Sequence, residues 1–215
     1  MKISISAKAF AEFVIGGPGK KLSTIRKILK PKSPEAQIPI AYYKRAIAII
    51  RGYHDQDNNA EYVNAEMKTL FKEAESAETP QARAKRLSNL RAVELYMKSF
   101  ADRTWKVVKC PRIHYTSSDV RISGTPDLAV QYSKRLRLVK LGVRKEKEAA
   151  DMVRIMLRVI YQAAKKELKL DAQDITYFYV RTGEAISGEP ADRRLAAAID
   201  SGCTTLQEMV RAKAI

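Results

Sequence analysis

The sequence predicts an α+β fold, with a helical N-terminal region packed on a small mixed sheet. Residues 1–100 carry apolar side chains at helical spacing, with capping residues at the breaks. After residue 101 the texture changes to short β-branched or alternating runs punctuated by Pro and Gly. A long amphipathic run and one further strand-like run, ITYFYV, then precede helical C-terminal segments. The division expected is a helical region over 1–100 and an α/β core over 101–215, together forming one compact unit.

In SAKAFAEFVIG, Ser6 is a helix N-cap, Phe10, Phe13 and Val14 share one face, and Gly16–Gly17 stop the helix. Pro18 opens a basic helix, PGKKLSTIRKIL, with Leu22, Ile25, Ile28 and Leu29 at helical spacing. The glycines and lysines around this junction lack P-loop spacing and read as a helix-to-helix turn. KPKSPEAQIP is a Pro-rich connector. A third helix, IAYYKRAIAIIRGYH, ends near Gly52 and a fourth covers 60–77. The fifth starts at Thr79-Pro80 and runs through Phe100, with Leu87, Leu90, Val93 and Leu95 in its core stripe. TWKVVKC, RIHYT, VRISG, DLAVQYS and RLRLVKLGV read as strands. A helix over 145–168 turns Val153, Leu157, Ile160, Tyr161 and Ala164 inward. ITYFYV is a strand followed by an Arg-Thr-Gly turn, and two short helices separated at Ser201–Gly202 close the chain.

Composition bounds the function. There is no run of about 18 apolar residues, so no membrane span is expected. The N-terminus lacks the apolar core of a secretory leader. Cys110 and Cys203 are too few for a disulfide framework or a four-thiolate metal site, so a reducing cytoplasm is the expected location. The formal net charge is +16. That excess attracts polyphosphate, so the expected partner is nucleic acid, DNA ahead of RNA. The charge is segregated: two basic clusters, 20–51 and 134–147, flank an acidic stretch over 55–78, which favours a basic face. Backbone-phosphate contacts are expected from Lys20, Lys21, Arg26, Lys27, Lys44, Arg45, Arg135, Arg137, Lys140 and Arg144. Tyr42, Tyr43 and Tyr53 interleave with cations, which suits base stacking as well as core packing. A non-enzymatic adaptor that meets an acidic protein in a larger complex is the rival reading.

Asp127 is a lone carboxylate in RISGTPDLAV, between two strand-like runs. Thr-Pro-Asp is good turn chemistry, and it also suits half of a metal site. Several features together resemble the RecB-like nucleases of the PD-(D/E)XK superfamily, including the CRISPR-associated adaptation nucleases. They are a serine-opened first helix followed by Gly-Pro and lysines, where the family has Cys-Pro; the GTPD of Gly124 to Asp127; and the order of RLRLVKLGV, a long helix and ITYFYV. The resemblance implies a PD-(D/E)XK core and phosphodiester cleavage assisted by Mg²⁺ or Mn²⁺. It puts Asp127 at the metal and Lys140 at the motif lysine. It also implies a further ligand from the helical region, for which His54 is the candidate. The pattern departs at the second acid: with Lys140 as the lysine, Leu138 stands where the acid belongs, and with Lys140 in the acid's place, Gly142 stands at the lysine. The helix after the strand has Tyr161-Gln162 in place of the family's Gln-x-x-x-Tyr. The two cysteines exclude the iron–sulfur cluster of some relatives. One carboxylate beside a lysine holds a divalent cation weakly and suits a phosphate oxygen. The expectation is therefore a degenerate nuclease fold that binds nucleic acid without cutting it. An active nuclease borrowing a carboxylate from Glu94, Asp119 or the Asp55–Asp57 region is the enzymatic alternative.

Overall fold

The computed structural model describes residues 2–30, 42–189 and 193–214. The Pro-rich connector lies outside the described residues from 31 onward. The fold is mixed α+β with two small sheets. No helix among the described residues is long and apolar enough to cross a membrane.

The chain opens with a strand the sequence reading missed, β1 (Ile3–Ser6). Ser6 ends β1 and caps α1 (Ala7–Ile15), its hydroxyl accepting from the Ala9 N–H at 3.2 Å. Pro18 begins α2 (Pro18–Leu29). The next helix, α3 (Lys44–Asp55), starts later than the apolar pattern suggests and runs through Gly52. A Cβ there would sit 2.4 Å from the Tyr62 hydroxyl, so Gly52 admits a close ring contact and does not end the helix. Asn59 caps α4 (Ala60–Glu75) and Thr79 caps α5 (Pro80–Phe100). The buried stripe of α5 is Asn89, Ala92, Val93, Tyr96 and Phe100; Leu87 is exposed. The larger rings occupy the core, and the leucines lie at its edge.

Five short strands follow: β2 (Lys106–Val108), β3 (His114–Ser117), β4 (Val120–Ser123), β5 (Leu128–Tyr132) and β6 (Arg135–Gly142). A long helix, α6 (Ala150–Leu168), crosses to β7 (Ile175–Tyr179), which turns at Gly183 into β8 (Glu184–Ser187). The C-terminus is one continuous helix, α7 (Arg193–Ala214), where the sequence suggested two. Gly202 lies within it, and a Cβ there would meet Val14 at 2.7 Å, so the glycine is a close-packing point against α1.

The larger sheet has the order β2-β5-β6-β7-β8, with β6 and β7 parallel and the other neighbours antiparallel. The smaller has the order β1-β4-β3, with β1 and β4 parallel. Alternation assigns each strand residue to a face. Val139, Leu141, Phe178 and Leu128 pack on α3, α4 and α5. Ala129, Leu138, Ile175 and Tyr177 pack on the other side, in the core that α6, α1 and α7 share with the smaller sheet. Phe10 and Phe13 are fully buried in that second core, and each contributes on the order of 2–3 kcal/mol of apolar burial.

Candidate functional site

The C-terminal end of β6 and the start of β5 lie side by side, because the antiparallel register that pairs Leu128 with Val139 brings Asp127 across from Lys140. The Asp127 N–H donates to the Val139 carbonyl at 2.9 Å, extending the ladder by one residue. The Asp127 carboxylate is then held on both oxygens. Oδ1 accepts from Lys140 Nζ at 2.9 Å, and Oδ2 accepts from the Leu141 N–H at 2.8 Å. Lys140 Nζ also donates to the Thr125 carbonyl at 3.2 Å. Asp127 is therefore fixed by the strand pair and does not hang on an outer loop.

This pair lines a cavity of about 410 Å³. The ends of β1 and β4, the start of α1, the N-terminal turn of α3 and one flank of α6 supply the other walls. Gly124 lets α6 approach, since a Cβ there would lie 2.9 Å from Ile160. A second ion pair faces the same space. Lys8 of α1 donates to Glu148, which precedes α6, at 2.7 Å. The Glu148 side chain is 9% exposed. Burial pushes its carboxyl upward, but bonds from Lys8 and the Tyr177 hydroxyl, with the Lys8 charge, outweigh that and hold it below the ordinary carboxylate range. Burial first, and then the Glu148 charge, drive the Tyr177 hydroxyl strongly upward, so it stays protonated and donates. Gly142 makes room for this ring, because a Cβ would meet it at 2.5 Å. Arg144 completes the cationic lining; it is exposed, with no ion pair among the described residues.

The structure brings together Asp127, Lys140 and Arg144 of the residues singled out in the sequence, and adds Lys8, Glu148 and Tyr177. Spacing gave no sign of these three: Lys8 lies in an apolar helix, Glu148 in a basic run and Tyr177 in an apolar strand. Leu138 lies on the Lys140 face of β6, fully buried in the core, and Gly142 lies on that face at the Tyr177 ring. No carboxylate occupies either motif position.

His54 is not at this cavity. It is 1% exposed, among Tyr53, Tyr96 and Trp105 in the helical layer. Nδ1–H donates to Asn58 Oδ1 at 2.7 Å, and Nε2 accepts from the Tyr96 hydroxyl at 2.7 Å. Burial, opposed by the Asn58 bond and reinforced by Arg103, lowers its pKa. Both ring nitrogens are thus committed to a neutral, structural ring. The other carboxylates weighed from sequence are also elsewhere. Glu94 pairs with Arg91 on α5, Asp119 with Arg211 of α7, and Asp55 and Asp57 are exposed at the end of α3.

The cations expected on one face are distributed. Lys20, Arg26 and Lys27 are exposed on α2, and Lys21 lies 5.6 Å over the Phe13 ring. Lys44 is exposed at the start of α3, next to the cavity residue Tyr43, while Arg45 pairs with Glu66. Arg135 and Arg137 lie at the opposite end of β6 from the cavity. Arg135 is bound to Asp171 and to Asp174, the latter at 2.8 Å, and Arg137 sits 5.0 Å over the Tyr132 ring. Along a strand the distance from Arg135 to Lys140 is about 16 Å.

The donor set does not suit a tightly held Mg²⁺ or Mn²⁺. Both Asp127 oxygens and the Glu148 carboxylate are already bonded, and two ammonium groups stand where a cation would approach. Among the described residues no group of three His, Cys, Asp or Glu side chains is placed to hold a metal ion. What the arrangement offers instead is three cations, two of them partly neutralised, around a solvent-connected space. No protein-family model matches the chain, and no curated protein matches it.

Proposed function

We propose that the protein binds nucleic acid, DNA ahead of RNA, through backbone phosphates. In this reading the cavity at Asp127 and Lys140 is a nuclease-type site converted from metal to phosphate binding. The observation that carries it is the Lys140 ammonium, 2.9 Å from Asp127 Oδ1, an ion pair that takes up the carboxylate a divalent cation would need. Lys140 and Arg144 then meet phosphate oxygens at the cavity mouth, and the exposed lysines and arginine of α2 add sequence-independent attraction. The chain order supports the RecB-like framework: α5, then β2, β5 and β6 as an antiparallel meander, then α6 crossing to the parallel strand β7. Asp127 holds Lys140 in the cavity lining, and Glu148 does the same for Lys8.

An active Mg²⁺- or Mn²⁺-dependent nuclease is the second reading, and one observation favours it: Asp127 and Glu148 line the same cavity. One experiment separates the two. Duplex DNA binding is measured by anisotropy over a series of salt concentrations, and the same DNA is incubated with wild type and Asp127→Ala in Mn²⁺. Binding that weakens steeply with salt, without cleavage, is the expected result. Cleavage lost in Asp127→Ala establishes the nuclease. Absence of binding even at low salt removes both and leaves the adaptor role with an acidic protein.

A further inference from the structure

We infer that the open face of the three-stranded sheet is a second phosphate-contact surface, across which the backbone of the bound nucleic acid runs from the cavity mouth. This rests on the proposed phosphate-binding reading and goes further by assigning the path outside the cavity. The sheet β1-β4-β3 buries one face in the core with α1 and α6 and leaves the other to solvent. Alternation turns every second residue of each strand outward. The two strand registers gather these residues into rows. The far row is Ser4, Arg121 and Thr116, all exposed. The near row is Ser6, Ser123 and His114, of which Ser6 and Ser123 also line the cavity. The rows lie about 7 Å apart, so the face begins at the cavity and leads away from it.

The chemistry of the face is one-sided. Its two rows offer a guanidinium, an imidazole and hydroxyls but no carboxylate, in a chain with 24 acidic residues. Arg121 makes no ion pair among the described residues. Asp119, in the turn between β3 and β4, is already held by Gln207 and Arg211 of α7, at 3.1 Å each. Arg112 adds to the face. The Gly124 N–H donates to the Ile113 carbonyl at 3.0 Å, which carries the β3–β4 pairing past His114, and Arg112 is exposed beyond it. Ser6 Oγ accepts the cap bond from the Ala9 N–H, which leaves its own hydrogen to donate. A merely solvated face mixes charges of both signs. Cations and hydroxyls without acids are the donors that phosphate and sugar oxygens take. The rows also lack any apolar side chain on which an interface with an acidic protein would centre, so the occupant is the nucleic-acid backbone.

The test measures binding of the full chain to a labelled DNA duplex over a salt series, with a thermal melt of each variant reporting folding. Arg121→Gln keeps a polar side chain at an exposed strand position and is expected to lower the slope of log K against log salt by about 0.9, the loss of one phosphate contact. Arg121→Glu is expected to weaken binding at low salt by about tenfold. Lys68→Glu makes the same change in net charge on the exposed side of α4, in the helical layer across the larger sheet, and is expected to weaken binding by less than about twofold. Equal losses in Arg121→Glu and Lys68→Glu overturn the inference, because net charge alone then accounts for them. An unchanged slope in Arg121→Gln, with the slope still lowered by Lys140→Ala, overturns it and leaves the cavity reading standing. Failure of the wild type to bind DNA at low salt overturns both.

Discussion

Both faces of the five-stranded sheet enclose polar groups, but they do so differently. On the face covered by α3–α5, His54 is bonded at both ring nitrogens, Asn58 passes the chain on to the Arg103 carbonyl, and Asn89 caps α3 by accepting from the Ala46 N–H at 2.9 Å. Every partner is inside the protein. On the other face, Lys140 and Lys8 are held by carboxylates and yet their side chains remain 31% and 28% exposed on a cavity. A buried polar group whose partners are all internal specifies the core. One whose partners leave it facing a space is poised for a ligand. Bonded polar side chains are thus closed off on one face and left accessible on the other, according to what lies on their open side.

The strongest way to break this comparison is to force an acid onto the cavity face. Leu138→Glu installs the acid-x-Lys spacing of the proposed nuclease framework, but position 138 is fully buried in the core. A carboxylate there costs about 4 kcal/mol or more, a large part of a typical domain's stability. The variant is expected to melt far below wild type or to be insoluble. A stable Leu138→Glu protein would show that the cavity face accepts an acid at this position and would break the comparison, and cleavage of DNA by it in Mn²⁺ would show that one acid separates this site from a nuclease.

The opposite face is tested at His54. His54→Ala removes a buried ring and leaves the Tyr96 hydroxyl without its acceptor, for a loss of about 3 kcal/mol by chemical denaturation. The salt dependence of DNA binding by the folded variant stays that of wild type. The wild type also carries a pH signature. The folded protein keeps His54 neutral against an ordinary value of 6.5, so the unfolded chain gains a proton first as pH falls. The stability this group contributes is present above about pH 6.5 and is lost as pH falls toward the lowered folded value. Melting temperature should therefore decline between about pH 7 and pH 5.5, and His54→Leu should flatten that decline. An unchanged pH profile in His54→Leu, or a lost DNA affinity in folded His54→Ala, would move His54 out of the structural class.

The chain yields its fold from sequence more readily than its site, and particular residues show why. Ser6, Pro18, Thr79 and Pro80 mark helix starts through local backbone chemistry that needs no tertiary context. The strand meander is equally local, since β2 to β6 coincide with alternating runs. Gly52 and Gly202 mislead because their reason is tertiary: each lies under a side chain from another element. β1 is missed because ISIS is too short to read without its partner β4. In the site, Asp127 and Lys140 are legible because one hairpin register joins them. Lys8 and Glu148 are 140 residues apart, and only the packing of α1 on α6 makes them a pair. The second basic cluster is spread out for the same reason, since β6 separates Arg135 from Lys140 along its length.

That separation provides the last and smallest contrast, between two cations of one strand. Arg135 is committed to Asp171 and Asp174, where Asp174 also accepts from the Asp171 N–H and closes the 3-10 turn at 172–174. Its positive charge is already answered by two carboxylates, so it has little left for a phosphate. Lys140 shares one carboxylate and faces the cavity. Lys140→Ala should cost no more than about 1 kcal/mol of stability, because the pair is partly solvated and Asp127 keeps its Leu141 N–H bond. It should nevertheless lower the slope of log K against log salt by about 0.9, the release of one phosphate contact. Arg135→Ala should leave that slope at the wild-type value. Asp127→Asn sharpens the point, since it retains a carbonyl acceptor for the Leu141 N–H, frees Lys140 from its counter-charge, and should tighten DNA binding a few-fold. If Lys140→Ala and Arg135→Ala change the slope equally, the phosphate contacts are spread over the surface and the cavity holds no privileged lysine.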